Sequence, residues 1–342
     1  MIVKGIYFYQ LFGLVINSDI ELPELPKSKI SPKFDVRIDL DGPFAESAPP
    51  GFHASNEAMV IVIEGVGRYR IESGKKISVW PTGQADPRAI RLYLLGSAMG
   101  LLLQQRAILP LHANAIVIGG RAVAFMGPSG SGKSTLASWF HGHGLGILGD
   151  DVCAIEFDRT RNPVAHSGLP RLRLWRDALV ASGRSVDDHA RSLPEYDDWD
   201  KFDVTLDSHW PDGQNFPLGY LYLLVQGEET SIRRLNGIEA FEAVVANIYR
   251  GQFMALSGKA NELLQSCMDL ARTVPIYEAR RRWTSEQFDD EAQILLDHFV
   301  TGHACNWDPA GDLKNSLTDH GSASPPSSTV FMKNATDRAS GR

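Results

Sequence analysis

The residues Gly127-Pro128-Ser129-Gly130-Ser131-Gly132-Lys133-Ser134, with Thr135 next, match the spacing G-x-x-x-x-G-K-[ST] at every fixed position. Glycines at those spacings let a backbone curl until successive N–H groups point inward, which makes a cradle for phosphate oxygens. The Lys133 ammonium can then reach the outer phosphates, and the Ser134 hydroxyl can ligate a hard divalent cation. Sixteen residues after Ser134 comes a second group, Asp150-Asp151. One carboxylate there can hold Mg²⁺, and the other can orient or deprotonate an attacking hydroxyl. The pattern predicts that residues 127–135 bind a nucleoside triphosphate.

These groups need elements to position them. Arg121 to Met126 reads as an apolar strand entering the loop, and a helix is expected from Lys133 to about His141. A strand from His112 to Ile118 joins the first through Gly119-Gly120, a hairpin signal. A short strand, Gly146 to Leu148, delivers Asp150-Asp151 to the carboxyl end of a parallel sheet, where α/β proteins bind ligands. Further strands are expected at Val152 to Phe157, Arg171 to Trp175 and Tyr220 to Val225. Helices are expected at Gly237 to Tyr249, Asn261 to Ala271 and Ser285 to Val300.

The first hundred residues differ in texture. They read as short strands over Ile6 to Ile16, Phe34 to Leu40, Met59 to Ile63, Arg68 to Glu72 and Lys76 to Trp80. A helix then opens at Asp86-Pro87 and runs to about Arg106. The expected organisation is a β-rich N-terminal domain over 1–106, a P-loop domain of mixed α/β type over 107–301, and a disordered tail over 302–342.

Composition narrows the function classes. Against 34 Lys and Arg stand 41 Asp and Glu, a net charge of −7, and no basic block is present. Bulk attraction to nucleic acid or to an anionic membrane is therefore not expected. The longest apolar stretch, Leu92 to Leu103, falls short of the ~20 residues a bilayer span needs. Cys153, Cys267 and Cys305 form no metal or disulfide spacing, which fits a reducing, cytoplasmic setting.

A strand opening at a His, then the glycine-rich loop, one helix and Asp-Asp resembles the catalytic domain of the HPr kinase/phosphorylase superfamily. The resemblance puts His112, Lys133, Ser134 and Asp151 in register with that family's active-site residues. Asn247-Ile248-Tyr249-Arg250 is similar to the family's Met-Asn-Phe-Arg segment, and counting back from it sets Arg233 at an arginine implicated in transfer. The family's metal-ligating Glu is replaced here, since Glu-Ile-Arg-Gly-Leu-Gly aligns with Ala165-His166-Ser167-Gly168-Leu169-Pro170. Asp150 is expected to take over part of the metal shell. The segments Phe12-Gly13-Leu14, Ser18 to Leu25, His112-Ala113-Asn114-Ala115 and Pro170 to Trp175 resemble a narrower set, the HPr-kinase-like proteins of lasso-peptide pathways.

The resemblance implies an ATP- and Mg²⁺-dependent kinase acting on a serine of a peptide or protein, such as the C-terminal Ser of a lasso-peptide precursor. It also implies a homo-oligomer. In this scheme Ser134 and Asp150 hold the metal, Asp151 accepts the hydroxyl proton, and Arg233 or Arg250 steadies the transferring group. A small-metabolite kinase and a nucleotide-dependent switch are the alternatives. Arg171 and Arg173, on one strand face, suit carboxylate or phosphate recognition, and Glu195 to Lys201 reads as an acidic, aromatic loop.

Overall fold

The computed structural model describes residues 4–42, 49–55, 58–192, 200–206, 214–282 and 286–302. The expected tail over 302–342, Cys305, and residues 195–199 of the acidic loop lie outside them, apart from Gly302. The chain folds as mixed α/β. No described helix is long and apolar enough to cross a membrane.

The N-terminal strands are β1 (Lys4–Leu11), β2 (Leu14–Ile20), β3 (Val36–Leu40), β4 (Gly51–Ser55), β5 (Ala58–Ile63), β6 (Gly67–Glu72) and β7 (Lys76–Pro81). They make one sheet in the order β1-β2-β3-β7-β6-β5-β4. The expected single strand from Ile6 to Ile16 is in fact a hairpin. Phe12 and Gly13 both take positive φ and turn the chain, and the second strand runs on through Asn17, Ser18 and Asp19. Those polar residues stay in the ladder because their side chains are satisfied there. The Ser18 hydroxyl donates to the Ile20 carbonyl, and Asp19 pairs with Lys4 and Arg37.

The helix that follows starts as expected, with the Asp86 carboxylate accepting from the Arg88 N–H and Pro87 in the first turn. It is interrupted, however. Between α1 (Pro87–Tyr93) and α2 (Met99–Gln105) lies a π-helical turn, Leu94–Ala98.

The second sheet holds β8 (Leu109–Leu111), β9 (Ala113–Ile118), β10 (Arg121–Met126), β11 (Gly146–Gly149), β12 (Cys153–Phe157) and β13 (Pro163–His166). A separate three-stranded sheet is formed by β14 (Arg171–Trp175), β15 (Ala190–Arg191) and β16 (Lys201–Thr205). The second sheet is completed by β17 (Asn215–Gln226), β18 (Ser231–Leu235) and β19 (Ile276–Arg281). Its helices are α3 (Lys133–Gly142), α5 (Gly237–Ala246), α6 (Ala260–Thr273) and α7 (Phe288–Gly302), with α4 (Arg176–Ala181) following β14.

Period-2 alternation builds two cores across the second sheet. Ala122, Ala124 and Met126 of β10 face α5 and α6 on one side, while Val123 and Phe125 face α3 and α7 on the other. Strands β10, β17 and β19 are parallel, whereas β9 runs antiparallel between β10 and β11. The expectation of a parallel strand before Asp150 is corrected accordingly: β11 has only an antiparallel neighbour. Two reversals still point β11 the same way as β10, so both strands end at one edge of the sheet.

Candidate functional site

The loop between β10 and α3 curls through three glycines in conformations that L-residues rarely adopt: Gly127 at φ 148°, Gly130 at 86° and Gly132 at 79°. Gly127 is also packed too closely for a side chain. A Cβ there would lie 2.8 Å from both the Leu224 carbonyl oxygen and Ser131 Oγ. Gly132 caps α3 without any side-chain hydrogen bond to the helix's first N–H groups. A helix that opens uncapped behind a curled loop presents donors and positive potential to an anion. This cradle fits nucleotide phosphates.

Lys133 folds back over the loop, its Nζ donating to the carbonyls of Gly127 at 2.7 Å and Pro128 at 3.0 Å. Burial pushes its pKa down to about 8, with Lys201 adding to the effect and Asp150 opposing it. Beside it, Ser134 Oγ donates to Asp150 Oδ1 at 2.9 Å, and the other oxygen of Asp150 accepts the Arg173 N–H at 2.8 Å. A hydroxyl and a carboxylate side by side at the helix start are hard oxygen donors that suit Mg²⁺. That ion takes one or two protein ligands and completes its shell with phosphates and water. Among the described residues no cluster of three or more His, Cys, Asp or Glu offers an all-protein metal cage.

Asp151 sits at φ 70°, a left-handed conformation unusual outside glycine. Its carboxylate pairs with the Arg173 guanidinium, and its carbonyl oxygen lies 3.1 Å from His112 Nδ1. Burial lowers the His112 pKa to about 4, reinforced by Lys133, Lys201 and Arg173, so the imidazole is neutral at pH 7. His112 stands here because β9 is antiparallel to β10. Ala113 is paired with Met126, which puts the preceding residue next to Gly127.

Two amides hold these parts together. Asn247 Oδ1 accepts the Gly127 N–H at 2.9 Å, while its backbone carbonyl accepts the His112 N–H at 2.7 Å. Asn114, fully buried, donates to the Lys133 carbonyl.

His112, the loop with Lys133 and Ser134, Asp150 and Asp151 thus meet at one sheet edge. Arg233 stands elsewhere. It lies on β18, outside β19 and β17, and pairs with Glu239 at 3.0 Å and Glu278 at 3.5 Å on the surface. Arg250 turns toward the N-terminal sheet, donating to Ser97 Oγ and lying over the rings of Phe52 and Tyr249. Arg171 pairs with Asp203. Lys201, which carried no chemical signal in the sequence, lies near Arg173 and Asp150 with its ammonium 5.0 Å from the Trp175 ring centroid.

No protein-family model and no curated protein matches the chain. Among solved structures, the Hpr(Ser) kinase/phosphatase from Coxiella burnetii matches with 11% identity and a TM-score of 0.30, over 57% of this chain and 99% of that one.

Proposed function

We propose that the chain is an ATP- and Mg²⁺-dependent kinase that phosphorylates a serine hydroxyl of a peptide or protein. The observation that carries this reading is the convergence of Lys133, the Ser134–Asp150 pair and Asp151 at one sheet edge. In this scheme the N–H groups of residues 127–135 and the Lys133 ammonium hold the triphosphate. Ser134 and Asp150 would hold Mg²⁺, which when bound neutralises charge on the phosphate oxygens. Asp151 accepts the proton of the acceptor hydroxyl. That oxygen bonds to the γ-phosphorus, the bond to the bridging oxygen breaks, and ADP leaves. His112, neutral and tied to the Asp151 carbonyl, positions the carboxylate-bearing turn. The surface pairing of Arg233 gives it no part in this scheme.

The acceptor class rests on the sequence resemblance, within which the narrower candidate is the C-terminal Ser of a lasso-peptide precursor in the cytoplasm. Incubation with MgATP and a serine peptide, followed by mass spectrometry, tests the reading: phosphorylation adds about 80 Da. Asp151→Asn is expected to abolish that gain while ATP binding stays within a few-fold of the wild type. Turnover of ATP to free phosphate without any acceptor gaining mass would instead indicate a nucleotide-dependent switch.

A further inference from the structure

We infer that Arg281 belongs to the nucleotide site, where its guanidinium takes the diphosphate end that stays with the nucleoside and lies away from Asp151. The inference rests on the nucleotide-binding part of the kinase reading above and adds to it a residue that no motif marks.

Sheet order decides where the nucleoside end lies. The strands run β11-β9-β10-β17, with β19 beyond β17. Asp150 and Asp151 follow β11, on one side of the loop. A triphosphate whose γ-phosphorus faces Asp151 therefore crosses the loop with its nucleoside end toward β17 and β19. Ligands of α/β sheets bind off the carboxyl ends of the strands, and Arg281 is the last residue of β19. Register lifts it to the height of the loop. Met126, the last residue of β10, is level with Leu223, and Leu223 with Glu278. Arg281 lies three residues further, about 10 Å at the usual rise of a strand.

Alternation puts Arg281 on the same face as Tyr277 and Ala279, which pack in the core with α3 and α7. Its Nε donates to Glu291 of α7 at 3.3 Å, and the guanidinium carbon lies 5.2 Å from the Phe288 ring centroid. Nη2 lies 3.8 Å from the point where a Cβ on Gly132 would sit. Glycine at 132 thus puts no side chain between Nη2 and the uncapped start of α3.

The buried pair is unequally satisfied. Both residues are 2% exposed. Glu291 accepts three hydrogen bonds, from Arg281 Nε, from the Arg282 N–H at 2.8 Å and from Thr230 Oγ1 at 3.0 Å. Arg281 has five N–H donors, and its buried Nη1 has no acceptor among the described residues. A buried donor left unpaired is costly and uncommon. Burial lowers the Arg281 pKa, and Glu291 is the charged group that opposes this. A cation with unused donors therefore stands at the phosphate-binding end of a helix. Nη1 and Nη2 form a fork that matches two phosphate oxygens. The 3.3 Å contact to Glu291 is at the long end for a hydrogen bond, so a small pivot toward Gly132 releases it.

The test measures ATP and ADP affinity of the full chain by calorimetry, with kcat and KM for ATP in the serine-peptide assay. Arg281→Gln should weaken both nucleotides by a similar factor, about tenfold to a hundredfold, the range a hydrogen bond to a charged group supplies. The kinetic loss should fall on the KM for ATP, because this contact is the same before and during transfer. Glu291→Gln should act in the opposite direction and tighten binding a few-fold, since it removes the carboxylate that competes for the guanidinium. Arg281→Gln leaves Glu291 buried without its partner, so a double variant, Arg281→Met with Glu291→Leu, removes both charges. It should keep the wild-type circular dichroism and still bind as weakly as Arg281→Gln. Unchanged affinity in Arg281→Gln, wild-type affinity in the double variant, or equal weakening by Glu291→Gln makes the pair structural only and overturns the inference. Weakening of ATP without ADP moves Arg281 to the transferring phosphate and overturns it too. Each of these results leaves the kinase reading standing. A wild-type chain that binds neither nucleotide overturns both.

Discussion

Lys133 is a cation tuned by its surroundings, and the tuning has a pH signature. In the free protein its pKa is near 8, and the phosphates of the proposed nucleotide would raise it. Below that pH the ammonium is already formed; above it, binding must take up a proton. Nucleotide affinity should therefore be flat to about pH 8 and then weaken by up to about tenfold per pH unit. Calorimetry at pH 7.5, 8.5 and 9.5 would show this as rising proton uptake, and a flat profile would remove Lys133 from the phosphates. The loop residues were legible in the sequence because their spacing is local and each type has one physical use. The partners of Asp151 and Gly127 were not. Arg173 is reached across a separate sheet, and Asn247 lies 120 residues from the N–H it accepts. No local pattern encodes such a meeting.

At the scale of elements, the helix after β7 carries more than its sequence discloses. Its period and its Asp86-Pro87 start were readable, but the π turn at Leu94–Ala98 was not, because Leu-Leu-Gly-Ser-Ala has no breaker that marks it. That stretch faces the segment that holds the phosphate loop. Gly96 and Gly100 leave room for the Tyr249 ring, and a Cβ at Gly100 would lie 2.7 Å from it. Gln104, fully buried, donates to the carbonyls of Tyr249 and Arg250, two and three residues beyond Asn247. Gln104→Leu keeps the volume and leaves those carbonyls without their donor, at a cost of about 1–3 kcal/mol. The urea midpoint should fall to match. The KM for ATP should rise several-fold with a smaller change in kcat, because the mutation loosens Asn247 and its grip on Gly127 without touching Asp151. A kcat effect alone would disconnect Gln104 from the nucleotide. Strands with strict alternation, such as β3 and β14, were equally readable. Short β8 and β13 were not, since three or four residues set no period.

Across the whole molecule, the N-terminal sheet and the strand that follows Asp151 share a core. Val152 and Ala154, directly after Asp151, are buried with Leu169 among Tyr9, Phe12, Ile38 and the α1–α2 side chains. The β1–β2 turn also reaches this place. The Phe12 N–H donates to the Ser167 carbonyl, and Gly168 donates to the Leu148 carbonyl on the strand that carries Asp150. A fragment beginning at Ala107 would expose that apolar surface, and it should be insoluble or lack fixed tertiary packing. The intact chain should unfold in one urea transition by near-UV and far-UV circular dichroism. A soluble, well-dispersed 107–302 fragment would contradict this. The shared core also constrains ancestry. A chimera taking its first hundred residues from a distant relative would have to match the shapes of Phe12, Gly168 and Val152 at once. Recombination that exchanges one sheet must carry compensating changes in the other, so the two are expected to diverge together, with the acidic turn at their seam changing least.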